Sequence, residues 1–181
     1  MDCKDYNPLA PIVAKHLAQI ILSSLPDIQI MHFGSTAVEG CTGKGIIDLM
    51  VLYSNGGLEN VKTKLDELGF QKQTTRDPFP ETRPMRVGSF EYGGNVFQLH
   101  IHVIEKNSPE AVELIEFKNS LRADSGLRDQ YVMVKKSILS QGITDPFDYC
   151  KAKEQFIKKV SHLHSAFSDT SILEKQDNQL F

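Results

Sequence analysis

The chain has 181 residues, 40% of them hydrophobic and 24% charged, a balance that excludes a disordered or fibrous protein and fits a folded globular one. Lys and Arg total 20 against 23 Asp and Glu, a net charge of −3, which argues against a duplex nucleic-acid binder because such proteins carry a basic excess. The longest apolar stretch, residues 45–53, is broken by Asp48 and is too short to span a bilayer, so no membrane partner is expected. The opening MDCKDYN has no apolar segment of a signal peptide. Cys3, Cys41 and Cys150 are odd in number and widely spaced, forming neither a disulfide framework nor a zinc or redox motif. A reduced, cytoplasmic setting follows as an expectation, with Cys41 read as an inert thiol in a polar, Gly-rich loop.

In chain order, Leu9, Ile12, Val13, Leu17, Ile20 and Ile21 recur at helical spacing and predict an amphipathic helix over residues 8–24, ended by Pro26. A short strand is expected at 28–33 and a loop, with room for a helical turn, at 34–45. Residues 46–53 are apolar on both faces except at Asp48, the pattern of a central strand. Leu58, Val61, Leu65 and Leu68 then mark a helix that Gly69 caps. Strands are expected at 70–74, 85–92 and 96–104, the last two joined by the turn Gly93-Gly94-Asn95. Ser108-Pro109-Glu110 opens a helix. Leu127, Tyr131, Val134 and Ile138 stripe a second helix, and Asp145-Pro146 starts a third with Phe156, Ile157, Val160 and Leu163 on its core face. This order predicts an α+β domain over residues 1–164: a mixed sheet with flanking helices and a helical C-terminal part, followed by a polar, frayed tail at 165–181.

Three features carry chemistry. Gly34-Ser35 leaves the first strand, and Asp48 lies on the next. A Gly-Ser pair past a strand lets backbone N–H groups and a hydroxyl approach phosphate oxygens, and a carboxylate on the neighbouring strand can hold a bridging divalent metal. In Gln98-Leu99-His100-Ile101-His102-Val103, the strand period of two puts His100 and His102 on one face. Such a pair either contacts a metal or a phosphate, or is a solvated sheet face. Finally, cations flank the sheet: Lys44, Arg83, Arg86, Arg122, Arg128, Lys151 and Lys153, with Tyr149 and Lys153 sharing a helix face at i, i+4. Arg83 and Arg86 sit by a Pro-rich loop and are candidates for substrate contact. Arg122 is a candidate for gripping phosphate, or for a surface ion pair with Glu116 or Asp124.

HFGSTAVEGCTGKGIIDLMV, QLHIHVIE, LIEFKNSLRADSGLRDQYVMVKK and DYCKAKEQFIKKV, in this order, resemble the GrpB family over residues 28–160. That family is grouped with the nucleotidyltransferase superfamily, whose signature is Gly-Ser followed by Asp-x-Asp on a strand. The resemblance implies a nucleotidyltransferase-like fold, with Gly34 and Ser35 as the phosphate-binding pair and Asp48 as the second carboxylate. The first carboxylate position is Ile46, a substitution the family shares, and histidine stands where a third acid is expected. Imidazole ligands shift the preference from Mg toward Mn, Zn or another transition metal.

The leading expectation is therefore a protein that binds a nucleotide or phosphorylated small molecule. Asp48, His100 and His102 would serve as metal and catalytic groups, with Gly34, Ser35, Lys44, Arg83, Arg86, Arg122, Tyr149 and Lys153 around the substrate. The reaction expected is nucleotidyl transfer to a small acceptor. A metal-dependent phosphoester hydrolase and a non-catalytic module are the alternatives; members of the resembled family fused to dephospho-coenzyme A kinase suit the last. The C-terminal helices are expected to close over the histidine-bearing face.

Overall fold

The computed structural model describes residues 3–165, and side chains through Val160 apart from Pro146, so the expected tail and the placement of Leu163 lie outside the described residues. The chain runs α1 (Ala10–Ser24), β1 (Gln29–Phe33), a single 3-10 turn (Ser35–Ala37), β2 (Ile47–Tyr53), α2 (Leu58–Glu67), β3 (Gln71–Lys72), β4 (Met85–Tyr92), β5 (Asn95–Glu105), α3 (Pro109–Ala123), α4 (Ser125–Ser140) and α5 (Pro146–Ser165). The strands form one mixed sheet in the order β1-β2-β5-β4-β3, with β2 and β5 parallel and the other pairs antiparallel. This is an α+β architecture, a mixed sheet with flanking helices and a helical C-terminal part.

The two faces of the sheet have different jobs. Ile47, Leu49 and Val51 of β2 and Leu99, Ile101 and Val103 of β5 are buried against Val13, Leu17 and Ile21 of α1 and Val61 and Leu65 of α2. On the opposite face, Phe33, Met50, Leu52 and Ile104 pack beneath Ala111, Leu114 and Ile115 of α3. Asp48, His100 and His102 occupy the same face, beyond the end that α3 covers. The C-terminal helices thus cover the apolar part of the histidine-bearing face. Phe117, Leu121, Tyr131 and Val160 build a third cluster with Val38 and Cys41 of the loop before β2, which ties α3, α4 and α5 to that loop.

Local chemistry accounts for the element ends. Ser108 Oγ accepts from the Ala111 N–H at 3.2 Å, and Asp124 Oδ1 accepts from the Leu127 N–H at 3.0 Å, so each of these helices starts on a side-chain cap. Gly93 and Gly94 carry φ of 58° and 74° between the paired residues Tyr92 and Asn95, the two-residue turn that matches strand twist. Asn95 is therefore the first residue of β5 and not part of the turn.

Two expectations need correction. In α1 the buried stripe is Ala10, Val13, Ala14, Leu17, Ala18 and Ile21, while Ile12 and Ile20 are exposed; small alanines let the helix lie close on the sheet. The expected strand at 70–74 shrinks to two residues, because only Gln71 and Lys72 pair with β4.

Candidate functional site

The parallel register of β2 and β5 sets Asp48 opposite His100 and Met50 opposite His102. Asp48 Oδ1 lies 3.3 Å from His100 Nδ1 and 3.7 Å from His102 Nε2. Burial pushes the Asp48 carboxyl up, but the two imidazoles hydrogen-bonded to it outweigh that and hold it well below the usual carboxylate range. It is a carboxylate at neutral pH. Burial lowers the pKa of His102, whose ring is clamped edge-on by Phe33 and Phe79 with centroids 5.1 and 5.6 Å away. Arg83 Nη1 donates to His102 Nδ1 at 3.3 Å, so the neutral ring carries its proton on Nε2, the nitrogen facing Asp48.

One oxygen of Asp48 and one nitrogen from each histidine lie within 4.8 Å of one another. Ligands about 2 Å from a shared ion stand about 3–4 Å apart, so this set fits a divalent metal of the Mn or Zn type after small adjustments. His102 Nε2 becomes a ligand when its proton moves to Nδ1. Arg83 then has Glu110, to which it already donates through Nε at 2.9 Å and Nη2 at 2.5 Å.

The loop after β1 reaches this cluster through Gly34. Its φ of 73° suits glycine, and a Cβ there would collide with the Asp48 carboxylate. Ser35 follows, opening the 3-10 turn. Thr36 Oγ1 donates to the Ile46 carbonyl at 3.0 Å and so accepts from His32 Nε2, also at 3.0 Å. Burial lowers the His32 pKa to about 4, leaving a neutral ring that braces the loop. Gly43 packs so tightly on Ser35 that a side chain there would strike its Oγ, and Gly43 is itself bridged to Lys4 through both backbone groups.

Lys135 of α4 is the residue that the sequence reading missed. The residue is 1% exposed, and its ammonium donates to Ser35 Oγ at 3.1 Å, to the Thr42 carbonyl and to Cys41 Sγ at 3.3 Å and lies 4.5 Å from the Tyr131 ring centre. Burial lowers its pKa, and among the described residues it has no carboxylate partner. Nearby, Tyr149 of α5 is buried with Lys44 Nζ and Lys153 Nζ each 4.5 Å from its ring centre. Burial lowers the Lys44 pKa, and the Asp48 charge acts on it in the opposite sense. Lys135 thus joins α4 to Ser35 at the loop that abuts Asp48, and Lys44, in the loop before β2, stands with Lys153 against Tyr149 within reach of the Asp48 charge.

Two expected site cations lie elsewhere. Arg86 sits on the opposite sheet face, since its β5 partner is Ile101. It is 1% exposed and salt-bridged to Asp66 of α2 at 2.6 Å and to Glu81 at 3.0 Å. The strand period, not the flanking loop, decides its direction, so it is a structural ion pair. Arg122 lines a cavity with His32, whose lining includes none of Asp48, His100 and His102, and among the described residues it has no ion pair with Glu116 or Asp124. Arg128 donates to the Glu39 carbonyl at 3.2 Å, and Lys151 is exposed. Among the described residues no helix is long and apolar enough to cross a membrane.

The family model described as GrpB protein matches residues 1–162. A UPF0157 protein of Halalkalibacterium halodurans is 27% identical over 159 residues, covering 86% of this chain and 78% of the relative. The glutamate-rich protein GrpB of Alkalihalophilus pseudofirmus is 28% identical over 152 residues, covering 80% and 82%. Among solved structures, the conserved protein GrpB from Enterococcus faecalis superposes with a TM-score of 0.68 at 22% identity, over 92% of this chain and all of that one. Cid1 in complex with the UTP analogue UMPNPP superposes with a TM-score of 0.55 at 17% identity, over 79% of this chain and 45% of that one, a likeness of fold. With the family match spanning nearly the whole chain, the protein belongs to the GrpB family.

Proposed function

We propose that Gly34, Ser35, Lys44, Asp48, His100, His102, Lys135, Tyr149 and Lys153 line a cleft that binds the phosphate chain of a nucleotide and transfers a nucleotidyl group to a small acceptor. The observation that carries this reading is Lys135: a buried lysine with no carboxylate partner among the described residues, held on Ser35 at the loop whose Gly34 abuts Asp48. Its hydrogen bonds all go to neutral acceptors, so the buried charge gains from an anion entering beside it. Ser35 and the adjoining N–H groups would orient the phosphates, and Lys135, Lys44 and Lys153 would offset their charge. Asp48, His100 and His102 would hold a divalent metal, which, when bound, neutralises charge on the phosphoryl oxygens. Arg83, held by Glu110 with its guanidinium over the Phe79 ring, keeps Phe79 against the edge of His102 and so orients that ring whichever nitrogen carries the proton. In the transfer, an acceptor hydroxyl oxygen bonds to the α-phosphorus, the bond to the bridging oxygen breaks, pyrophosphate leaves and the hydroxyl proton passes to water. No membrane or duplex nucleic acid takes part, and the reading assumes a cytoplasmic protein.

A second reading, hydrolysis of a phosphoester at one metal, is favoured by Ile46. An apolar side chain at that position leaves the strand with one carboxylate, so a second metal has no bridging ligand there.

Metal analysis of chelator-free protein, followed by calorimetric titration of nucleoside triphosphates with Mg, Mn and Zn, tests the proposal. Metal-dependent triphosphate binding supports transfer; bound transition metal without triphosphate affinity supports hydrolysis; neither outcome removes both. Ser35→Ala should weaken triphosphate binding about tenfold, since it deletes one hydrogen-bonding group at a charged ligand. Its melting temperature should stay within a few degrees of the parent. Unfolding of this variant would make Ser35 a structural turn residue.

A further inference from the structure

A second cavity, of about 760 Å³, lies at the β1 edge of the sheet, between α1, α3, the start of α4 and the segment that follows the 3-10 turn. Its size is that of a small-molecule site. Four cations line it: Lys15 from α1, Lys118 and Arg122 from α3, and Arg128 from α4. Glu39 is the one carboxylate among the described lining residues. Arg128 is partly satisfied by the Glu39 carbonyl and lies 3.7 Å from Asp129. Lys118 is not. It is only 8% exposed, and among the described residues its ammonium has neither a hydrogen bond nor an ion pair.

Lys118 and Arg122 are four residues apart on one helix, so they lie side by side on the same face. Two adjacent like charges, one of them buried, are an arrangement that a fold does not gain from on its own. The lining also has an apolar part, with Pro11, Ile12 and Val38. We infer that this cavity is a second binding site, for a small organic anion whose acidic head sits between Lys118 and Arg122 and whose apolar body lies against Pro11, Ile12 and Val38. The head is a phosphoryl or carboxyl group; both accept from a guanidinium fork and an ammonium. The site is separate from the nucleotide cleft and does not depend on how that cleft is read.

Phenyl phosphate and phthalate serve as probes, one for each head group. Binding is followed at the imidazole resonances of His32, which lines the cavity and is assigned with a His32→Gln variant, and by calorimetry. At least one probe should shift the His32 signals at millimolar concentration or below, and Lys118→Met and Arg122→Gln should each weaken that binding about tenfold or more. Ser35→Ala should leave it unchanged. Tighter binding of phenyl phosphate identifies a phosphoryl head, and tighter binding of phthalate a carboxyl head. The proposal is overturned if neither probe moves the His32 signals, if both cavity variants bind as the parent does, or if Ser35→Ala abolishes the effect.

Discussion

Arg86→Ala is expected to destabilise the protein by about 3–5 kcal/mol, the cost of truncating a large buried side chain and dissolving its ion pairs. The guanidinium is 1% exposed, whereas its partners Asp66 and Glu81 have side chains 43% exposed, so both carboxylates regain water once Arg86 is gone. Most of the loss therefore comes from the empty volume between β4 and α2. Arg86→Met, which refills that space without a charge, should recover more than half of it in urea unfolding; equal losses in the two variants would place the energy in the ion pairs instead. Hydrogen bonds from Arg86 lower the Glu81 pKa to about 2 from its ordinary value near 4.5. A depressed carboxylate contributes stability above its unfolded pKa and loses it as pH falls through the folded value. The parent should accordingly weaken between about pH 4.5 and pH 2 by more than Arg86→Met does.

Lys118→Met should act in the opposite direction, stabilising the protein at neutral pH by about 2–3 kcal/mol and raising the melting temperature by about 5–10 °C. Burial, and then the charge of Arg122, lower the Lys118 pKa to about 8 from 10.5. Between those two values the unfolded chain binds more protons than the folded one, so the parent gains stability as pH rises through the window. Below pH 8 both states are protonated, and the full cost of burying the cation is present. The advantage of methionine is thus largest at neutral pH and shrinks toward pH 10.5, a trend that thermal unfolding of both proteins across this range would reveal. A variant no more stable than the parent would show that Lys118 is already compensated.

The sheet and its histidine face are legible in the sequence because strand alternation is local. Leu99, Ile101 and Val103 announce the core, and His100 and His102 must then face the other way. Asp48 is equally visible as the single charge in an apolar strand. Arg86 is different: which face it takes depends on pairing with Ile101, fifteen residues away, and the neighbouring Pro-rich loop points toward solvent. Lys135 and Lys118 carry a local signal of another kind. Lys135 stands four residues after Tyr131 and three before Ile138, on the stripe that marks the buried side of α4. Lys118 stands three residues before Leu121 on the buried side of α3. A lysine at an apolar position of a helical stripe signals a buried cation, and treating the stripe as packing alone hides it. The shortness of β3 could not be read from composition, because it reflects how little of the segment meets β4.

The segment from Gly34 to Cys41 has different neighbours on its two sides: Ser35 and Cys41 meet Lys135 in the cleft, while Ala37, Val38 and Glu39 line the second cavity. One short segment therefore borders both proposed sites. Thermodynamic linkage then imposes reciprocity: whatever factor an anion in the cavity applies to triphosphate affinity, a triphosphate in the cleft must apply to the anion. A factor of one is the value that independent sites require, so the reciprocal measurement made from either side reads out how rigid these eight residues of backbone are.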